Sequence, residues 1–340
     1  MNKEIFLLLK RTIYFFLPFF FIFLFFLLLY LIYDPFKVIK KYESYYVSDE
    51  IQGVVLNRCY VSTSTFENYN SLHHYNSFIF GNSRSFFYRT SDWKSYLDTC
   101  SSCFHFNATA EPLYGMYKKI LFLDNNNVDI KNALFITDYG SLYCTTSNIG
   151  LLFMISPQLE NYKNIYTFHS SCIESFFNIK FLVGYFNFKI RGKIDDEVLD
   201  NRIWHYDLKE NELSIPIFEK LIDDGEFYTP ERMRVFYDRD LTRQTYSPVV
   251  IFDKQKQILQ EINDIFKKHN TDFKIIINPL YDQKKINESD LIYLQSLFGK
   301  DRVYDFSGIN DITNDFHNYY EDSHYRPHVA RKILDSIYRK

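Results

Sequence analysis

The chain lacks an excess of charge of either sign: 39 lysines and arginines stand against 42 aspartates and glutamates in 340 residues. Nucleic-acid binders concentrate basic residues, so that class is disfavoured and no nucleic acid is expected as a partner. An even set of cysteines is also lacking. The five are Cys59, Cys100, Cys103, Cys144 and Cys172, and an odd count does not describe a disulfide framework. Cys100-Ser101-Ser102-Cys103 has the spacing of redox and zinc sites. No second pair of this kind and no nearby histidine pair completes a zinc site, and no thioredoxin-like context surrounds it. The expectation is ordinary cysteines, or one local disulfide in an oxidising compartment. No metal and no organic cofactor is implied.

Charge is absent altogether from residues 12–33, TIYFFLPFFFIFLFFLLLYLIY. At ~1.5 Å per residue this run spans ~33 Å, enough for a bilayer core. Tyr14, Tyr30 and Tyr33 stand near its ends as an aromatic belt would. A cleaved leader has a shorter apolar stretch and small residues at its cut site, so the run reads as an uncleaved transmembrane anchor. Pro18 is tolerable inside a membrane helix. Lys3, Lys10 and Arg11 precede the span and Lys37, Lys40 and Lys41 follow it, which leaves the positive-inside rule nearly tied.

What is present in abundance is aromatic: 35 Phe and 29 Tyr. Past the anchor, residues 34–65 read as a juxtamembrane linker and lead-in, with Pro35 breaking the helix and strand character at 53–61. Residues 66–340 read as one domain, with 145–250 as an insertion or cap. Residues 77–80 form a short apolar run that reads as a buried strand. Gly81 and Asn82 permit a sharp turn, which puts Ser83 at the carboxyl end of the strand. Ligands bind at that end in open α/β sheets. Trp93, Tyr96 and Leu97 recur at helical spacing, so a helix is expected after this turn. Further strands are expected at 104–108, 133–137, 273–277 and 303–306. Leu113, Met116, Ile120 and Leu121 mark a helix between them. Ile258, Ile262, Ile265 and Phe266 mark a second, and Leu291, Leu294 and Phe298 a third, stopped by Gly299. Pro327 opens a last helix with Val329, Ile333, Leu334 and Ile337 as its packing face. Strand–helix alternation of this kind predicts an α/β fold, a parallel sheet flanked by helices. The aromatic run 176–188 reads as core or cap in preference to a surface resting on the bilayer.

Near the other end, Glu321 and Asp322 stand close to His324. A serine is a poor nucleophile until a base takes its proton, and the base needs an orienting group. Ser83, His324 and one of the two carboxylates supply all three parts. His328 is a weaker rival for the base.

Gly81-Asn82-Ser83-Arg84 resembles the first block of the SGNH hydrolase superfamily, in the variant found in polysaccharide-modifying proteins of bacterial envelopes. Asp322-Ser323-His324-Tyr325-Arg326-Pro327 resembles its last block, D-x-x-H, which brings the acid and the histidine. The resemblance covers roughly residues 75–140 and 270–338. It implies an SGNH-like sheet with Ser83 as nucleophile and His324 as base. The acid stays open between Glu321, which has the spacing, and Asp322, which has the residue type; the spacing is preferred. The second block would place an oxyanion donor at Asn107 or Ala108, although its usual glycine is not evident. The third block's oxyanion asparagine has no counterpart, and Asp138 stands near its place, as a turn aspartate or a site residue. Arg84 would bind a substrate carboxylate or pair within the fold.

The resemblance implies addition or removal of an ester group, acetyl above all, on an envelope polysaccharide. A multi-span membrane acyltransferase is the implied partner. It also implies a single-pass bacterial inner-membrane protein with residues 1–11 cytoplasmic and the soluble domain in the periplasm. Two other classes stay open: a non-catalytic relative that binds glycan or scaffolds a secretion complex, and a phosphodiesterase or nuclease. The second of these has neither a metal cluster nor a basic stripe behind it.

Overall fold

Five short apolar runs build the centre of the protein. In a computed structural model, which describes residues 3–195 and 197–339, they are β1 (Ser77–Gly81), β2 (Cys103–Asn107), β3 (Asn132–Thr137), β4 (Asp272–Ile277) and β5 (Val303–Asp305). The strands hydrogen-bond in the order β5-β4-β3-β1-β2, every pair parallel. Strands covered on both faces need apolar residues at successive positions, which is why these segments read as continuous runs. Phe78 and Phe80 point to one face and Ile79 to the other, and all three are wholly buried.

Helices cover both faces. On the Phe78 side pack α1 (Arg58–His73), α2 (Leu113–Asn125), α3 (Asp253–Lys268) and α4 (Glu288–Phe298). On the Ile79 side, α5 (Pro327–Tyr338) buries Val329, Ala330, Ile333, Leu334 and Ile337. Each fully buried aliphatic or aromatic side chain of this kind stabilises the fold by roughly 1.5–3 kcal/mol. The protein is therefore a mixed α/β fold with a five-stranded parallel sheet flanked by helices. One further apolar helix, Lys3–Tyr33, precedes it and is long and apolar enough to cross a membrane.

Four expectations are revised. Residues 53–61 do not form a strand: the strand is Glu50–Gly53, and α1 begins at Arg58. Asn57 starts the helix, its Oδ1 accepting the Tyr60 amide at 2.8 Å. Residues 34–51, read as a juxtamembrane linker, are packed against the domain. The Asp34 carboxylate accepts the amides of Val38, Ile39 and Lys40, and Phe36, Val38, Tyr45 and Tyr46 are buried. The helix expected after Ser83 shrinks to a 3-10 turn, Ser83–Phe87, and a short helix, Thr90–Lys94. Trp93 and Tyr96 are instead pinned by α5, through Tyr338 and Asp335.

The fourth revision concerns the middle of the chain, which divides in two. Helices Ile165–Phe177 and Ile179–Arg191 pack on the C-terminal end of the apolar helix. There Phe23 stacks on Phe177 at 5.2 Å and Tyr33 meets Phe186 at 5.7 Å. Phe176, Leu182 and Tyr185 are buried in a second core with Phe36 and Tyr45. The following strands, Asp200–Asp207 and Glu212–Ser214, join Glu50–Gly53 in an antiparallel sheet. These strands and the segment 215–235 that follows them reach the cavity described below, and the two helices do not line it. All five cysteines are free, three of them buried.

Candidate active site

β1 ends at Gly81 because nothing larger fits. A Cβ there would stand 2.8 Å from the Cβ of Ser85 and 2.9 Å from the Ile136 carbonyl oxygen. Asn82 then caps the 3-10 turn, its Oδ1 accepting the Arg84 amide at 3.0 Å. Ser83 is thereby held at the carboxyl end of a central strand. Its own amide, first in the turn, donates to no acceptor among the described residues.

The histidine arrives on a small hairpin. Tyr319–Glu321 pairs antiparallel with His324–Tyr325, and Glu321 lies directly opposite His324. Two buried phenols anchor the hairpin beyond β4: Tyr319 donates to the Pro279 carbonyl at 2.9 Å and Tyr325 to Asn278 Oδ1 at 2.8 Å. Arg84 Nε donates to the Ser323 carbonyl at 3.1 Å, tying the serine turn to the hairpin.

The two parts meet. His324 Nε2 lies 2.8 Å from Ser83 Oγ, and His324 Nδ1 is hydrogen-bonded to Glu321 Oε1. With the ring proton on Nδ1, facing the carboxylate, Nε2 is free to accept the serine proton. Glu321 Oε2 also accepts the Ser323 amide at 3.3 Å. Burial pushes the Glu321 carboxyl up, but the hydrogen bond and charge of His324 more than offset this, and it stays below its ordinary value. Burial and the neighbouring Glu321 raise Asp322. Asp322 accepts the Ser323 hydroxyl at 3.1 Å and makes no hydrogen bond to His324. Hairpin register thus gives two neighbouring carboxylates different partners, His324 for Glu321 and the Ser323 hydroxyl for Asp322.

Arg84 and Asp138 hold the serine turn. Asp138 Oδ2 accepts Arg84 Nη1 at 2.8 Å and Asn82 Nδ2 at 3.2 Å, while its Oδ1 caps a short helix through the Ser141 amide at 2.9 Å. Of the two readings of Arg84, pairing within the fold is the one observed, since Nε and Nη1 are both spent there. His328 hydrogen-bonds Asn318 at 2.7 Å, away from Ser83.

The two residues named as oxyanion donors stand at the tip of β2. The Ala108 amide donates to the Gly81 carbonyl at 3.3 Å, and Asn107 is fully buried with its Oδ1 accepting Arg58 Nε at 2.7 Å. The next residue, Thr109, is the one that reaches the cavity.

Ser83, Glu321 and His324 open into a cavity of about 530 Å³. Its walls combine Phe86 and Phe87 of the serine turn with Trp204, Leu213, Phe218 and Phe227 from the middle of the chain, and with Tyr46 and Arg58. Sequence reasoning missed Arg58, which is 1% exposed, and His105, which is wholly buried. Burial, then the charges of Arg58 and Lys119, push the His105 pKa well down. Glu212, on the cavity wall, is raised by burial to about 7 although it accepts the Thr90 amide. Among the described residues no cluster of His, Cys, Asp or Glu is arranged to hold a metal ion. No protein-family model matches the chain, and no curated protein is significantly similar to it.

Proposed function

We propose that the protein is an SGNH-like serine enzyme that transfers or hydrolyses acyl esters, acetyl foremost, on a bacterial envelope polysaccharide. The observation that carries the reading is the unbroken hydrogen-bonded series Ser83–His324–Glu321 at a strand end, opening into an aromatic cavity. In the reaction, Ser83 Oγ attacks the ester carbonyl as His324 Nε2 takes its proton. The tetrahedral intermediate collapses, and the same proton passes to the departing alcohol oxygen, leaving an acyl-serine. Water, or a sugar hydroxyl in transfer, then attacks the acyl-serine as His324 takes its proton, and His324 returns that proton to Ser83 Oγ as the serine departs. Glu321 holds the ring orientation and stabilises the imidazolium in both halves. The unspent Ser83 amide is the first candidate donor to the oxyanion. Aromatic walls suit the apolar faces of sugar rings.

The apolar helix supports an anchor in the bacterial inner membrane. The reading puts residues 1–11 in the cytoplasm and the domain in the periplasm, beside a multi-span acyltransferase that supplies the acyl group. A glycan-binding, non-catalytic role is the second reading. It is favoured by Asp138, fully engaged where the family carries an oxyanion asparagine. Turnover of a chromogenic acetyl ester by the purified protein and its Ser83→Ala form separates them. The enzyme reading expects turnover lost with Ser83; equal rates favour the binding module.

A further inference from the structure

The cavity contains a cation that the proposed reaction does not use. Arg58 sits at the first turn of α1 and is 1% exposed. Its Nε donates to Asn107 Oδ1 at 2.7 Å and its Nη2 to the Asn211 carbonyl. Its Nη1 is buried and has no acceptor at hydrogen-bond geometry among the described residues. No carboxylate pairs with it among the described residues. Around the guanidinium stand three rings, those of Tyr46, Phe86 and Tyr206, at 5.6, 6.0 and 5.9 Å. A buried charge without a counter-ion costs several kcal/mol, a cost that an anion in the cavity would offset.

The other charges on the wall reinforce this. Asp200 is taken by Arg202 at 2.7 Å, Glu219 by Arg326 at 2.9 Å, and Glu321 by His324. Arg89 and Arg232 also line the cavity and form no ion pair among the described residues. Arg232 lies over the Phe227 ring at 4.3 Å. Three acids of the wall are engaged by cations and the fourth, Glu212, accepts the Thr90 amide and feels the charge of Arg89, whereas Arg58 and Arg232 have no acid among the described residues.

From this we infer that the cavity binds a carboxylate-bearing sugar, with the carboxylate on Arg58 Nη1 and the ring against the aromatic walls. The inference deepens the proposed function by naming the acidic sugar as the acyl acceptor or ester substrate, and it rests on that reading only for the chemistry. With two of its three nitrogens already committed, Arg58 offers one nitrogen to the ligand. That suits a single carboxylate oxygen better than a phosphate, which needs a wider set of donors.

The test is binding, read by calorimetry on the full chain in detergent and in the Ser83→Ala form, so that no ester is turned over. The probes are methyl glucuronide, its methyl ester, and glucose 6-phosphate. The acid is expected to bind at least about tenfold tighter than its ester and tighter than the phosphate. Arg58→Gln should bring acid and ester to within about twofold, an effect that lost packing alone does not produce because both ligands share one ring. Arg58 also braces Asn107 and Asn211, so melting is followed in parallel. Where the Gln form does not fold, Arg58→Lys takes its place, and the acid preference should fall. Equal binding of acid and ester, no saturable binding of either, tighter binding of the phosphate, or an unchanged preference in the Arg58 variant would each overturn the inference. Esterase assays on the wild type are independent of this result. Acid-selective binding without Ser83-dependent turnover would sink the proposed chemistry and keep the acidic sugar.

Discussion

Glu212 makes the docking of the cavity wall sensitive to pH. It lies on the strand Glu212–Ser214 and, with Glu210, accepts hydrogen bonds from Thr90, just past the serine turn. Burial is the main cause of its raised pKa, the Thr90 hydrogen bonds oppose it, and Glu210 adds to it. The shift runs from 4.5 in the free side chain to about 7 in the fold. At ~1.36 kcal/mol per unit that is ~3.4 kcal/mol, which cavity water screens to a working figure of ~2 kcal/mol. The sign follows from proton counting. Between pH 4.5 and about 7 the folded state holds the proton more tightly than the unfolded chain. Stability from Glu212 is therefore full below pH 4.5 and is lost as pH rises through 7. Glu212→Gln cannot ionise, so the variant should gain ~2 kcal/mol on the wild type between pH 4.5 and 8. In thermal unfolding of the detergent-solubilised chain this is a relative rise in melting temperature on the order of 3 °C. A constant difference between variant and wild type across that range, or one that shrinks as pH rises, would refute the reasoning.

Three further outcomes are expected. Glu321→Gln should lower ester turnover by up to ~10⁴-fold while Asp322→Asn changes it little, because only Glu321 reaches His324 Nδ1; the reverse ranking in steady-state kinetics would move the role to Asp322. Asp138→Asn weakens the Arg84 pair that braces the serine turn, and should lower kcat by roughly tenfold with the fold retained by circular dichroism; unchanged kcat would mean that the turn holds without it. A reporter active only in the periplasm, fused after residue 60, should be active, whereas activity of a cytoplasmic reporter alone would reverse the orientation.

The central sheet was legible because its strands are short and mostly apolar, β1 and β3 almost continuously so, and the Gly81-Asn82 pair marked the turn that carries Ser83. The helix at Arg58–His73 was not legible. It buries Ser62, Thr63, Ser64 and Thr65 as well as apolar residues, so no apolar stripe marks it. The choice between Glu321 and Asp322 depended on a hairpin register fixed by Tyr319 and Tyr325 against residues 40 to 50 positions away, which local spacing does not encode. The cavity walls were hidden for the same reason. Tyr46, Arg58, Trp204 and Phe227 come from separate segments and converge only in three dimensions.

The central claim is that Ser83 is a nucleophile activated by His324. A fluorophosphonate reacts covalently with an activated serine hydroxyl and not with an ordinary one. Peptide mass spectrometry of the treated full chain reads where it lands. The account predicts one adduct, on Ser83, abolished by His324→Ala with the fold intact. An unmodified Ser83 in the wild type, or an adduct that persists in His324→Ala, would contradict it.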